Sequence, residues 1–134
     1  MPAPSLFSFR KEPAVDPRGL LSSIGEVVYS WDIHSDVLKW GPNAAEVLGA
    51  LPDRAMLRGI GFAGLVEPGS GPSRYDAIFG TSEQDQGEGV LYRTRYAVDL
   101  AGRKMWADDT GRWFAGSDGR PARARGVLRL ERAA

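Results

Sequence analysis

The chain has 134 residues, 43% hydrophobic and 25% charged, the size and make-up of one packed domain. Its 17 Lys/Arg balance its 17 Asp/Glu, and a zero net charge argues against a dedicated nucleic-acid binder, whose affinity rests on excess positive charge. The absence of cysteine excludes disulfides, thiolate catalysis, cysteine zinc sites and cysteine-linked chromophores.

Residues 1–15 carry three prolines and no periodicity, so they read as an irregular arm. Leu6, Phe7 and Phe9 are too apolar for a free tail, and the arm is expected to dock. The stretch MPAPSLFSFRKEPAVD lacks the continuous apolar run of a secretory signal, and no run approaches the roughly 20 residues that span a bilayer. A cytoplasmic chain without membrane contact is expected.

Asp16-Pro17 is a helix start: Asp supplies an N-cap acceptor, and Pro at the first helical position loses no needed N–H. Leu20, Leu21 and Ile24 form a short apolar stripe that Gly25 can end. Residues 26–33, EVVYSWDI, alternate as a strand with Val27, Tyr29, Trp31 and Ile33 on one face. His34-Ser35-Asp36 turns, and 37–40, VLKW, pairs back. Gly41-Pro42-Asn43 breaks the strand, with Asn43 placed to cap the short helix AAEVLG, which ends at Gly49. Residues 53–66 give weakly helical pieces interrupted by Gly59, Gly61 and Gly64. A loop from Pro68 to Pro72 precedes a predicted helix over 73–83, SRYDAIFGTSE, with Tyr75, Ile78 and Phe79 at helical spacing.

The period then changes to two. Residues 89–99 alternate Val90, Tyr92, Thr94, Tyr96 and Val98 against Leu91, Arg93, Arg95 and Ala97. Ala101-Gly102 turns, residues 103–115 give a fourth strand with Trp106, Trp113 and Phe114, and Ser117-Asp118-Gly119 turns again. Residues 122–131 give a fifth strand with Ala124, Gly126, Leu128 and Leu130 on one face. Two strands, short helices and three hairpin-joined strands make an α+β domain: a five-stranded antiparallel sheet with the helices on one face.

Charge is unevenly spread, with 7 Lys/Arg against 12 Asp/Glu up to residue 92 and 10 against 5 from residue 93 onward. The basic second part is either a surface for an anion or acidic partner, or the plainer case of strand arginines facing water. GIGFAG at 59–64 matches a glycine-rich dinucleotide motif literally, but no strand precedes it and no parallel βαβ unit fits. Asp108 and Asp109 are adjacent on a strand, so they point to opposite faces and cannot act as a carboxylate pair. No catalytic constellation and no metal site can be assembled; His34, the single histidine, reads as a turn residue. The aromatics are the informative group. Tyr29, Trp31, Leu38 and Trp40 should face the helices and, with Phe62, Tyr92, Tyr96 and Trp106, either fill the core or line a pocket for a noncovalent ligand.

VYSWDIHSDVLKWGPNAAEVLG resembles the opening of PAS domains: strand, Asp-containing turn, strand, and an Asn-initiated short helix ending in Leu-Gly. YRTRYAVDLAGRKMWADDTGRWFAGSDGRPARARGVLRL resembles their ending, with Ala101-Gly102 where Asp-Gly is usual. The likeness covers roughly residues 24–130. It implies the PAS fold, an N-terminal arm and cap helix over 1–24 and a PAS core over 25–134. PAS haem sites take their histidine from the helix before the third strand, which here has none, and no cofactor is expected. Residues Leu130-Glu131 stand where an Asp-Ile-Thr coupling segment often follows. The stretch is also similar to the N-terminal PAS region of α-proteobacterial GGDEF–EAL cyclic-di-GMP phosphodiesterases, although neither catalytic domain is present. The resemblance implies a non-enzymatic regulatory module, a homodimer that contacts a signalling or adaptor protein and is open to regulated proteolysis. Its expected contact surface is Phe7, Phe9, Leu20, Leu21 and Ile24; the alternative is a small-molecule sensor.

Overall fold

The computed structural model describes residues 16–133. Helix α1, Pro17–Ser23, starts where Asp16 accepts the Arg18 N–H. Strands β1, Glu26–Asp32, and β2, Val37–Trp40, form the first hairpin. Short helices follow: α2, Ala44–Leu48, a 3₁₀ turn at Ala55–Leu57, α3, Gly59–Ala63, and α4, Arg74–Phe79. Strands β3, Val90–Leu100, β4, Arg103–Ala115, and β5, Pro121–Arg132, complete the chain.

The five strands form one antiparallel sheet in the order β2-β1-β5-β4-β3, so β5 inserts between the two hairpins. The alternation fixes which face is inner. Val27, Tyr29 and Trp31 are buried while Val28, Ser30 and Asp32 are exposed, and Tyr92, Thr94 and Tyr96 are buried against exposed Leu91, Arg93 and Arg95. On the inner face these side chains share a core with Leu48, Met56, Phe62 and Ile78 from the helical segments. Full burial of each such side chain contributes about 1.5–3 kcal/mol, and this packing is what keeps helices of five to seven residues in place.

Three local expectations need correction. Asn43 stands at the N-cap of α2, yet its side chain makes no cap bond. Its Nδ2 donates to the Glu26 carbonyl at 2.8 Å and to Ser22 Oγ at 3.1 Å, so a buried amide ties β1, α1 and α2 together. Gly59 and Gly61 lie within α3 rather than interrupting it, since buried Phe62 anchors that turn through tertiary contact. The helix expected over 73–83 ends at Phe79. Gly80 closes it, and Thr81 Oγ1 then takes the Glu83 N–H in a non-helical turn. Its start is firm: Ser73 and Asp76 form a reciprocal capping box.

Candidate functional site

A buried polar cluster sits on the inner sheet face below α3 and α4. Asp109 of β4 is fully buried, and its carboxylate accepts from Tyr29 at 2.6 Å, from Tyr96 at 2.5 Å and from Arg74 Nε at 2.8 Å. The Tyr92 hydroxyl joins through Tyr29. Each member is placed by a simple rule. Strand alternation turns Tyr29, Tyr92, Tyr96 and Asp109 inward, and the capping box sets Arg74 at the first position of α4. Room for the hydroxyls comes from two glycines. Tyr29 pairs with Gly126 and Tyr92 with Gly111, and a Cβ built on either glycine would lie 2.6 Å or 2.5 Å from the hydroxyl opposite.

The electrostatics follow from burial. Burial works against the Arg74 charge, but Asp109 beside it prevails, so the guanidinium is held more firmly protonated than usual. Burial raises the pKa values of Tyr29, Tyr92 and Tyr96, so all three stay neutral hydrogen-bond donors. The Arg74 guanidinium carbon lies 3.8 Å from the Tyr29 ring centroid and 4.9 Å from that of Phe62, a cation between two aromatic faces.

Arg74 also lines a cleft of about 480 Å³. The other walls are mainly apolar: Trp31, Ile33, Ile60, Phe62, Ala63, Val66 and Tyr75, with Asp36 and Ser73 as polar members. Asp36 braces the site by accepting Trp31 Nε1 at 2.9 Å and the Ile60 N–H at 3.0 Å, which fixes the indole against the start of α3. Arg74 is 5% exposed, and its Nη2 is buried with no hydrogen-bond partner among the described residues. Nearly all buried polar groups are paired, so an orphaned guanidinium nitrogen in a residue that lines an apolar cleft marks a candidate place for an acceptor.

The eight residues expected around a pocket divide four ways. Trp31 and Phe62 line the cleft. Tyr29, Tyr92 and Tyr96 gather behind it on Asp109, with Arg74 between. Leu38 is a core residue, and half-buried Trp40 donates to the Met56 carbonyl at 2.6 Å. Trp106 belongs to the opposite sheet face: Met105, Ala107 and Asp109 face inward on β4, so Trp106 faces outward, with the Arg95 guanidinium 5.0 Å from its ring. On α1 no residue is fully buried; Leu20 and Ile24 are exposed and Leu21 is half-buried. Phe7 and Phe9 lie outside the described residues.

His34 is an exposed turn residue, and among the described residues no group of three or more His, Asp or Glu side chains could hold a metal. No described helix is long and apolar enough to cross a membrane. GIGFAG forms α3 and its end, following a 3₁₀ turn, in a sheet whose pairings are all antiparallel. Periodicity could not reveal Arg74, because a lone arginine in a helical stretch reads as solvent-facing. The one signal was Asp109, an acid in an inward position of an otherwise apolar strand face, which demands a buried partner.

No protein-family model matches the chain, and no curated protein matches it significantly. Solved structures do. One comes from work on adaptor-dependent degradation of a cell-cycle regulator, at 19% identity over 87% of this chain and 96% of that one, with a TM-score of 0.56. Another is a sensory box histidine kinase/response regulator from Burkholderia thailandensis, at 17% identity over 84% and 82%, also with a TM-score of 0.56. A third is the N-terminal domain of a diguanylate cyclase with PAS/PAC sensor from Marinobacter aquaeolei, at 14% identity over 77% and 92%, with a TM-score of 0.49.

Proposed function

Because this chain has the PAS fold, we propose that it is a regulatory sensor module whose signal is a small molecule held beside Arg74. The observation that carries this is the unpartnered, buried Nη2 of Arg74, a residue that lines an otherwise apolar cleft. Asp109 already balances the Arg74 charge, so an anionic ligand would bury a net negative charge at high cost. The fitting class is an apolar molecule bearing a neutral acceptor oxygen, a carbonyl above all. Native mass spectrometry of the purified chain tests the reading. Excess mass, or added mass after incubation with 2-acetylnaphthalene, supports it; apo protein that takes up neither this ketone nor any cellular small molecule from extract contradicts it.

The output we propose is protein contact. Leu20 is 56% exposed and Ile24 49%, while α1 is anchored through polar bonds from Arg18 and Ser22 to Glu46 of α2. Its apolar side chains are thereby left for a second copy of the chain, in a homodimer to which Phe7 and Phe9 would add. An adaptor or signalling partner, with regulated proteolysis, is supported by the likeness to the structure from work on adaptor-dependent degradation. A cyclic-di-GMP phosphodiesterase as the attached or partner enzyme rests on the resemblance in sequence alone. Sedimentation equilibrium tests the dimer: a monomer at high micromolar concentration, unchanged in the double variant Leu20→Asp/Ile24→Asp, contradicts it.

A further inference from the structure

The outer face of the sheet, opposite the cleft, concentrates the positive charge of the second part of the chain. Lys39, Ser30, Arg125 and Arg112 lie in one cross-strand row over β2, β1, β5 and β4. Arg125 and Arg112 are directly opposite each other, an arrangement of like charges that works against folding. Arg123 stands two residues from Arg125 on β5 and opposite Phe114. None of these four exposed cations is ion-paired to a described residue.

The acids nearby bond to backbone N–H groups and make no direct ion pair with these cations. Asp32, opposite Arg123, accepts the Ser35 N–H, and Asp85 accepts the N–H groups of Gly87, Gly89 and Ala115. The guanidinium groups of Arg123 and Arg125 lie 5.0 Å and 5.2 Å from the Phe114 ring centroid, which orders two otherwise flexible side chains. The result is a set of oriented guanidinium donors repeating at strand spacing that make no direct ion pair, with Asp32 the acid directly opposite Arg123.

We infer that this face docks an acidic protein segment in extended conformation. Carboxylates at alternate positions of an extended chain recur about every 6.8 Å, the spacing of Arg123 and Arg125 along β5, and guanidinium groups pair carboxylates in bidentate fashion. Single-stranded nucleic acid fits less well. It needs open aromatic faces for base stacking, and the Phe114 ring already carries two guanidinium groups, while the whole chain is electrically neutral.

Fluorescence anisotropy of the full chain with a fluorescein-labelled peptide of alternating Glu and Ser tests this, beside an oligothymidylate of matched charge. The expected result is peptide binding that weakens as NaCl rises and falls about tenfold or more in the variant Arg112→Thr/Arg125→Thr. That variant removes a like-charge pair but also the Arg125 contact with Phe114 and the Arg112 bond to the Gly89 carbonyl, so its fold is verified by circular dichroism before binding is compared. The control Arg54→Ser/Arg103→Ser makes the same change in net charge at the 3₁₀ turn and at a β4 residue that reaches the Leu48 carbonyl on the helical side, and should leave the affinity unchanged. Three results would overturn the inference: equal losses in both variants, tighter binding of the oligothymidylate than of the peptide, or self-association of the parent chain that only Arg112→Thr/Arg125→Thr abolishes.

Discussion

Gly111 and Gly126 stand directly opposite each other on β4 and β5, and the hydroxyls of Tyr92 and Tyr29 occupy the space their missing side chains leave. This glycine window lets two phenols approach the sheet closely enough to join Asp109. Gly126→Ala is expected to destabilise the fold by about 1–3 kcal/mol, because the new methyl must displace Tyr29 or the Thr110 carbonyl beside it. Urea denaturation of the variant checks this.

The buried pair should dominate the stability map. Asp109→Ala leaves the Arg74 charge without its partner and is expected to cost about 3–5 kcal/mol. The double variant Arg74→Met/Asp109→Leu removes both charges and should lose far less than the sum of the single losses. A denaturation cycle over the four proteins reads the coupling.

Alkaline pH should act through the tyrosines. Burial holds Tyr29, Tyr92 and Tyr96 above their ordinary pKa of 10.0, so the folded state binds these protons more tightly than the unfolded state. The stability they contribute is fully present below that unfolded value and is lost as pH rises above it. Phenolate absorbance from these three should therefore appear together with loss of the near-ultraviolet circular dichroism, as one transition.

The β3–β4 turn offers a gain. Ala101 adopts φ 53° and Gly102 φ 80°, the two left-handed positions of a tight hairpin turn. Alanine is strained there, whereas Asn tolerates the conformation and bonds its own backbone. Ala101→Asn should raise stability by about 1 kcal/mol, read as a higher melting temperature.

The sequence carried the sheet because its strands alternate cleanly and its turns hold Gly and Asp where the backbone needs them. Val27, Tyr29 and Trp31 face inward as their spacing requires. The helical side was less legible. Helices as short as α3 have no stable pattern of their own, and Asn43 reads as a cap although tertiary contacts give it a different role. Of the candidate site, the tyrosines were visible as inward residues, but not the hub. Arg74 lies 35 positions from Asp109, and only the packing of α4 on the sheet brings the two charges together. Trp106 lies apart from the site because strand parity, rather than aromatic character, decides its side of the sheet, and parity assigns it to the outer face.

The most direct test compares two near-isosteric probes, 2-acetylnaphthalene and 2-isopropenylnaphthalene, by chemical-shift titration of the Trp31 indole and the Ile60 and Phe62 amides. With the carbonyl seated on Arg74, the ketone should bind about tenfold more tightly, one charge-assisted hydrogen bond. That preference should vanish in Arg74→Met/Asp109→Leu. Equal affinity for ketone and hydrocarbon in the parent chain, or a preference that survives loss of the guanidinium, would contradict the assignment of Arg74 as the group that reads the ligand.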